Sequence, residues 1–401
     1  MKEGWEIKKL SELCMSANGL WKGKKGPYIT AGVLRSTNFT KDCKLTLEDV
    51  AYIEVEEKSF AKRRLQKNDI IVERSGGGPN QPVGRVLLFD IDADNFSFCN
   101  FTSALRVIDA TLITPQYLHR FLSYFYFSGK TIEMQSNTIG LRNLDYTKYL
   151  DINIPFPSIL EQKRIVDTLD AEFAKIDALK ENVEKNLQNA KDLFQAVLRK
   201  ELEPKEGWVT ASLNELYDVR DGTHDSPKYH PSGYPLVTSK NLRNGIVDLS
   251  NVKYISQADY DKINERSKVD VGDVLFAMIG TIGNPSLVTE EPKYAIKNVA
   301  LFKVRQNHSG ALLKYILSND VILKEMQGKA KGSNQPFVSL GYLRNFKISL
   351  PNNLTEEDEL IALLDEGWVR CKALQENCEK TIILCNDLKQ ALLRKAFNGE
   401  L

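Results

Sequence analysis

The sequence predicts an α+β protein built twice over: two mixed α/β arms, each followed by a long helix. Two observations carry this reading. The stretch Ala196–Leu202, AVLRKEL, returns 195 residues later in Ala391–Leu401, ALLRKAFNGEL. The opening Gly4–Leu13, GWEIKKLSEL, returns 203 residues later as Gly207–Leu216, GWVTASLNEL. Periods this long exceed any solenoid unit, so each copy is an arm plus its helix. The chain divides into residues 1–155, 156–204, 205–350 and 351–401.

Glu161–Asp170 matches Glu356–Asp365, and Ala178–Asn182 matches Ala373–Asn377, at an offset of 195 without a gap. Leu169, Ile176, Val183, Ala190 and Val197 fall seven apart, as do Leu364, Cys371, Cys378, Cys385 and Leu392. A sustained seven-residue apolar repeat predicts a coiled-coil seam. Phe173, Leu179, Leu187, Leu193 and Phe194 widen the first stripe; Trp368, Leu374, Ile382 and Leu388 widen the second. Each helix is expected to run about 35–40 residues, or roughly 50–60 Å. Pro155, Pro157 and Pro351 precede the helices, where proline does no harm.

The arms follow. Asp69–Glu73, Val86–Phe89 and Ala104–Val107 read as short buried strands, with Asp273–Ala277 and Ala300–Val304 as second-arm counterparts. Gly76–Pro79 and Gly280–Pro285 read as turns. Thr114–Leu122 and Ala311–Leu317 are helix candidates.

Composition narrows the class. No apolar run reaches the roughly 18–20 residues of a membrane span, and the N-terminus lacks the apolar core of a signal peptide. Six cysteines in 401 residues make no disulfide framework, so a cytoplasmic protein with reduced thiols is expected. The arms carry charge excesses of +3 (residues 1–155) and +4 (205–350), the helix blocks −2 and −4. Anionic partners for the arms fit that pattern.

Catalytic and metal chemistry find no foothold. Cys371, Cys378 and Cys385 stand about 10 Å apart along a helix and cannot share an ion, so they read as small seam residues. Gly19–Lys25 falls one residue short of a phosphate loop and lacks its hydroxyl. His119 and His308 read as structural or solvated. His224 and His230, beside Asp221 and Asp225, suggest polar contact to a ligand more than acid–base work. No metal and no catalytic residue is assigned.

What remains is interleaved basic, amide and aromatic side chains. The first arm offers Asn18, Trp21, Lys22, Lys24, Lys25, Arg35, Asn38, Arg63, Arg74, Asn80, Gln81 and Arg142. The second offers Thr223, His224, Ser226, Lys228, Tyr229, Ser239, Lys240, Asn241, Lys331 and Asn334. Lysine and arginine neutralise phosphates; asparagine, glutamine and arginine pair with base edges. The competing reading is a protein-interaction scaffold whose coiled coil binds partners.

Taken together, the two Gly-Trp openings, Asp221–Tyr229 (DGTHDSPKY), Gly272–Phe276 with Gly280–Gly283, Ile154–Pro157 leading to Glu161-Gln162, and the closing Leu392–Leu401 resemble the DNA-specificity subunits of type I restriction–modification enzymes. Glu357-Asp358 departs from the Glu-Gln pair, Asn352 shortens the second Pro-x-Pro, and Asn68 replaces the glycine before Asp69. The resemblance implies two target-recognition domains, each reading half of a bipartite double-stranded DNA site. It implies that the long helices pack antiparallel with pseudo-two-fold symmetry, setting Ile176 near Cys385, Val183 near Cys378 and Ala190 near Cys371. It further implies a non-catalytic chain docked by two modification subunits and by restriction/motor subunits. S-adenosylmethionine, ATP and magnesium are then expected on those partners and not here.

Overall fold

The computed structural model describes residues 4–21, 23, 25–78, 81–138, 141–305, 307–332 and 335–401. It resolves into two compact units: Met1–Val183 with Lys380–Leu401, and Glu184–Glu379. Each unit holds one arm and part of both long helices.

In the first unit, Glu6–Lys9 pairs antiparallel with Asn153–Phe156, so the start and end of the arm meet. The central sheet is antiparallel, in the order Cys14–Asn18, Thr102–Val107, Asp69–Glu73, Val86–Phe89. Asp69–Glu73 is buried at every residue, which explains its unbroken Ile-Ile-Val run. A second sheet sets Tyr28–Leu34 between antiparallel Ala51–Glu56 and parallel Phe96–Phe98. Helix Pro115–Phe127 opens on Thr114, whose hydroxyl accepts from the Tyr117 N–H, with Pro115 in the first turn.

The second unit repeats the plan. Val209–Ser212 pairs with Lys347–Leu350. The central sheet runs Asp218–Asp221, Val299–Lys303, Val274–Ala277, Gly283–Leu287. Tyr234–Val237 lies between antiparallel Lys253–Ile255 and parallel Ala295–Ile296, and helix Gly310–Ser318 is capped by Ser309.

Both expected turns reach too far into strand, although residues 280–282 do connect two antiparallel strands. Ser75–Gly77 is a strand against Leu141–Leu144, itself paired with Gln135–Thr138. Gly283–Leu287 is an edge strand of its sheet. A register shift between Leu275 and Ala277, with left-handed backbone at Gly283 and Asn284, admits Pro285 at that edge, where no ladder N–H is needed.

The long helices span Ile159–Glu201 and Leu354–Asn398, 43 and 45 residues, longer than the sequence stripe suggested. Within each unit they run antiparallel. Lys180 Nζ donates to Asn386 Oδ1 at 3.2 Å and Lys389 pairs with Asp177 in the first unit. In the second, the Phe194 and Trp368 rings lie 5.0 Å apart. Leu169, Ile176 and Cys385 share the first core, Leu364 and Cys371 the second, and Ala190 is buried. Val183, Val197, Cys378 and Leu392 are half-buried.

The widened stripe is right on one flank and wrong on the other. Phe173 and Phe194, four residues after a seam position, are buried beneath the arms. Leu179, Leu193, Leu374 and Leu388, three residues after one, are 50–52% exposed. On a helix those positions flank the seam on opposite sides, and the arm covers only one side. Among the described residues no helix is long and apolar enough to cross a membrane.

Candidate nucleic-acid interface

Each arm's first central strand ends in a glycine that backbone packing demands. A Cβ on Gly222 would sit 2.3 Å from the Ile296 carbonyl oxygen, and one on Gly19 1.8 Å from that of Cys99. An arginine ties the same spot in both arms: Arg266 donates to the Asp221 and Gly222 carbonyls, Arg63 Nε to the Asn18 carbonyl at 2.9 Å.

Beyond Gly222 the loop is fastened at several points. His224 Nε2 bonds Asp221 Oδ2 at 2.9 Å and Nδ1 bonds Asn298 Oδ1 at 2.8 Å, so both ring nitrogens hold protein. Thr223 Oγ1 accepts from the Asp225 N–H. Lys297 Nζ donates to Ser226 Oγ at 2.5 Å, and the Lys253 ammonium lies 4.2 Å over the Tyr229 ring. Lys228 points into solvent.

This loop borders an open cleft of about 750 Å³. The cleft unites Tyr229, Ser239 and Lys240 from the expected set with Arg243, Lys253, Lys297, Asn298, Asn284 and Gln335. Lys297-Asn298 was legible in principle, as a polar pair interrupting the apolar run Ala295–Leu301. Asn284 and Asn298 both take left-handed backbone, which asparagine tolerates better than most residues. Lys331 pairs its backbone with Phe337 and leaves its side chain exposed.

Two expected contacts are corrected outright. Asn38 and Asn241 are buried, and their amides are consumed by their own loops. Asn38 Oδ1 accepts from the Arg35 N–H while Nδ2 donates to the Thr46 and Asp49 carbonyls. Asn241 repeats this with the Thr238 N–H and the Asp248 and Asn251 carbonyls. They shape the loops and leave no amide for a base edge.

In the first arm Arg35, Arg63 and Arg74 are tied to protein. Arg35 pairs with Asp49 at 2.9 Å. Arg74 donates to Asn18 Oδ1 at 2.7 Å and stacks 4.3 Å over Tyr146. Gln81 lies beside Arg85, whose guanidinium is buried against Glu73 and braces the Ser36 and Phe39 carbonyls. Trp21 is 71% exposed, Lys25 is exposed, and Arg142 lies in the strand opposite Gly77. Lys22, Lys24, Asn80 and Asn334 lie outside the described residues.

With this geometry in hand, the chain was compared with known proteins. The family model of the type I restriction modification DNA specificity domain matches residues 2–189 and again 205–364. The chain belongs to this family. The specificity subunit of the EcoKI type I restriction enzyme of Escherichia coli K12 is 22% identical over all of this chain and 90% of its own length. The EcoBI specificity subunit of Escherichia coli is 24% identical over 80% of this chain and 74% of its own. Among solved structures, a chain from work on complex assembly and conformational transition of the type I R-M system superposes with TM-score 0.79 at 18% identity, covering 100% of this chain and 99% of that one. The HsdS subunit from Thermoanaerobacter tengcongensis gives 0.54 at 18% identity, over 100% and 98%. Both show the fold.

The chain is therefore a specificity subunit, a DNA-recognising and non-catalytic component of a type I restriction–modification system. Like His224, His119 and His308 of this specificity subunit have structural side-chain partners, while His230 bonds the Tyr254 carbonyl through its backbone N–H. His119 is buried with Nε2 on the Cys43 carbonyl at 3.0 Å, and burial pushes its pKa down to about 3. His308 Nδ1 bonds Glu357 at 2.8 Å. Among the described residues no cluster of three or more His, Cys, Asp or Glu gathers to hold a metal.

Proposed function

We propose that this specificity subunit reads a two-part duplex target, one part per arm, with the long helices setting the spacing. One observation carries the reading: the two arms share strand order, capped turns and helix anchors, yet differ in the side chains around their loops. A common scaffold with two divergent surfaces suits two different half-sites. Half-site spacing follows protein geometry, and helices of 43 and 45 residues extend roughly 65 Å.

The exposed leucines support the partner assignment. Leu179 and Leu374 are related by the 195 offset, as are Leu193 and Leu388, and all four are about half exposed. A repeated apolar flank fits two copies of one modification subunit. Those subunits, with added restriction/motor subunits, would bring S-adenosylmethionine, ATP and magnesium to the complex, in the cytoplasm.

The test maps methylated positions genome-wide in a host carrying this chain and its modification subunit. A bipartite motif is expected. Replacing residues 1–155 by a relative's first arm should change one half of it; a change in both halves would refute the modular reading.

A further inference from the structure

The second-arm cleft carries charges that the matching described positions of the first arm do not repeat. Its walls carry Lys240, Arg243, Lys253 and Lys297 against one carboxylate, Asp248. Asp248 is turned onto the Ser250 N–H at 2.9 Å. Arg243 attracts the Asp248 charge, but the hydrogen-bond and ring partners of three of the cations are neutral: Arg243 Nε donates to the Lys240 carbonyl, Lys297 to the Ser226 hydroxyl, and Lys253 covers the Tyr229 ring.

Backbone geometry fixes the first-arm counterparts. Ser239–Asn241 and Ser36–Asn38 are the same capped turn, so Thr37 stands for Lys240 and Thr40 for Arg243. Lys253 pairs with Leu236 as Ala51 pairs with Val33. The Lys297 N–H donates to the Val237 carbonyl and its backbone pairs with Thr223, as the Cys99 N–H donates to the Leu34 carbonyl and its backbone pairs with Leu20, so Cys99 stands for Lys297. All four counterparts are uncharged.

We propose that the second arm grips the phosphodiester backbone beside its half-site through this cleft, a grip that the matching described positions of the first arm carry no charge to repeat. These four positions then add a salt-sensitive share of affinity in the second arm that the matching first-arm positions do not. This rests on the two-part reading above. Its physical basis is counterion release: each phosphate neutralised by a lysine or arginine adds about 0.9 to the slope of log K against log salt.

The test uses the chain assembled with its modification subunit and a duplex carrying the mapped target. Affinity is followed by fluorescence anisotropy from about 50 to about 200 mM salt. The triple variant Lys240→Gln, Lys253→Gln, Lys297→Gln should lower the slope by about 2–3 and leave the methylated sequence unchanged. The corresponding Lys→Arg triple should keep the wild-type slope, which separates lost charge from lost fold. Thr37→Gln with Thr40→Gln in the first arm should leave the slope where it was. An unchanged slope in the Lys→Gln triple overturns the proposal. So does an altered methylated sequence at unchanged slope, which would make the cleft a base reader. If the wild-type complex instead shows no preference for its target, the two-part reading itself falls.

Discussion

Glu357, fully buried, accepts hydrogen bonds from His308 Nδ1 at 2.8 Å and from the Ser309 N–H at 2.7 Å. At the 195 offset the pair matching Glu161-Gln162 is Glu356-Glu357, not Glu357-Asp358, and buried Gln162 accepts from the Thr114 N–H and donates Nε2 to the Leu112 and Pro157 carbonyls. Each side chain caps the same arm helix. The swap of amide for carboxylate follows the partner: a carbonyl needs a donor, a histidine N–H an acceptor.

That pairing predicts non-additive mutants. His308→Leu leaves a buried carboxylate with one fewer donor and should cost about 2–3 kcal/mol at neutral pH. Glu357→Gln added to His308→Leu removes the charge and should recover about half of that loss. Thermal unfolding of both single variants and the double variant tests it. Strictly additive midpoints would show that His308 does not hold Glu357.

His119 gives a pH dependence. Its folded pKa, lowered by burial to about 3, lies below the unfolded value of about 6.5. The unfolded chain therefore takes up the proton first. This contribution is fully present above about pH 6.5 and is lost as pH falls toward 3, at about 1.4 kcal/mol per pH unit. The stability gap between wild type and His119→Asn in urea should narrow at that rate from pH 6.5 to pH 5. A constant gap would contradict a neutral buried imidazole.

The thiols should react in order of burial. Burial pushes Cys14 up to about 12 and Cys43 up to about 11, while Cys99 and Cys378 are half-buried. Alkylation at mildly alkaline pH, read by peptide mass spectrometry, should label Cys99 and Cys378 first. Cys14 and Cys43 should resist until the chain is unfolded, because the thiolate is the nucleophile. Equal labelling of Cys43 and Cys378 would argue against this packing.

How much was legible follows from where the signal lies. The duplication and the seam could be read because helix periodicity is local: Leu169, Ile176 and Leu364 fell where expected. The exposed Leu179 and Leu388 could not, since only the arm's position decides which flank is covered. Asn38 and Asn241 look in sequence like base readers; their burial depends on loop closure between residues 7–11 apart. The cleft joins Lys240, Lys253 and Lys297 across strands whose pairing no linear pattern displays. Gly19 and Gly222 stand inside polar stretches of sequence, but the reason for glycine is a carbonyl from a distant strand.

The helix anchors yield a last prediction. Asp170 receives Arg120, which also lies 5.4 Å from the Phe173 ring. Its counterpart Asp365 receives the Tyr315 hydroxyl, with Tyr315 packed edge-on to Phe194. Aspartate is constant at the 195 offset while the arm supplies either a guanidinium or a phenol. The helix thus requires a donor above an aromatic floor, not one particular side chain. Tyr315→Arg should then cost only about 1 kcal/mol, because a guanidinium can bond Asp365 and stack on Trp368 as Arg120 does on Phe173. Tyr315→Glu sets a second carboxylate against Asp365 in a poorly solvated place and should cost about 3 kcal/mol or more. Limited proteolysis of the second arm, alongside thermal unfolding, reads the difference. Equal loss in both variants would mean that shape, not donation to Asp365, seats the arm.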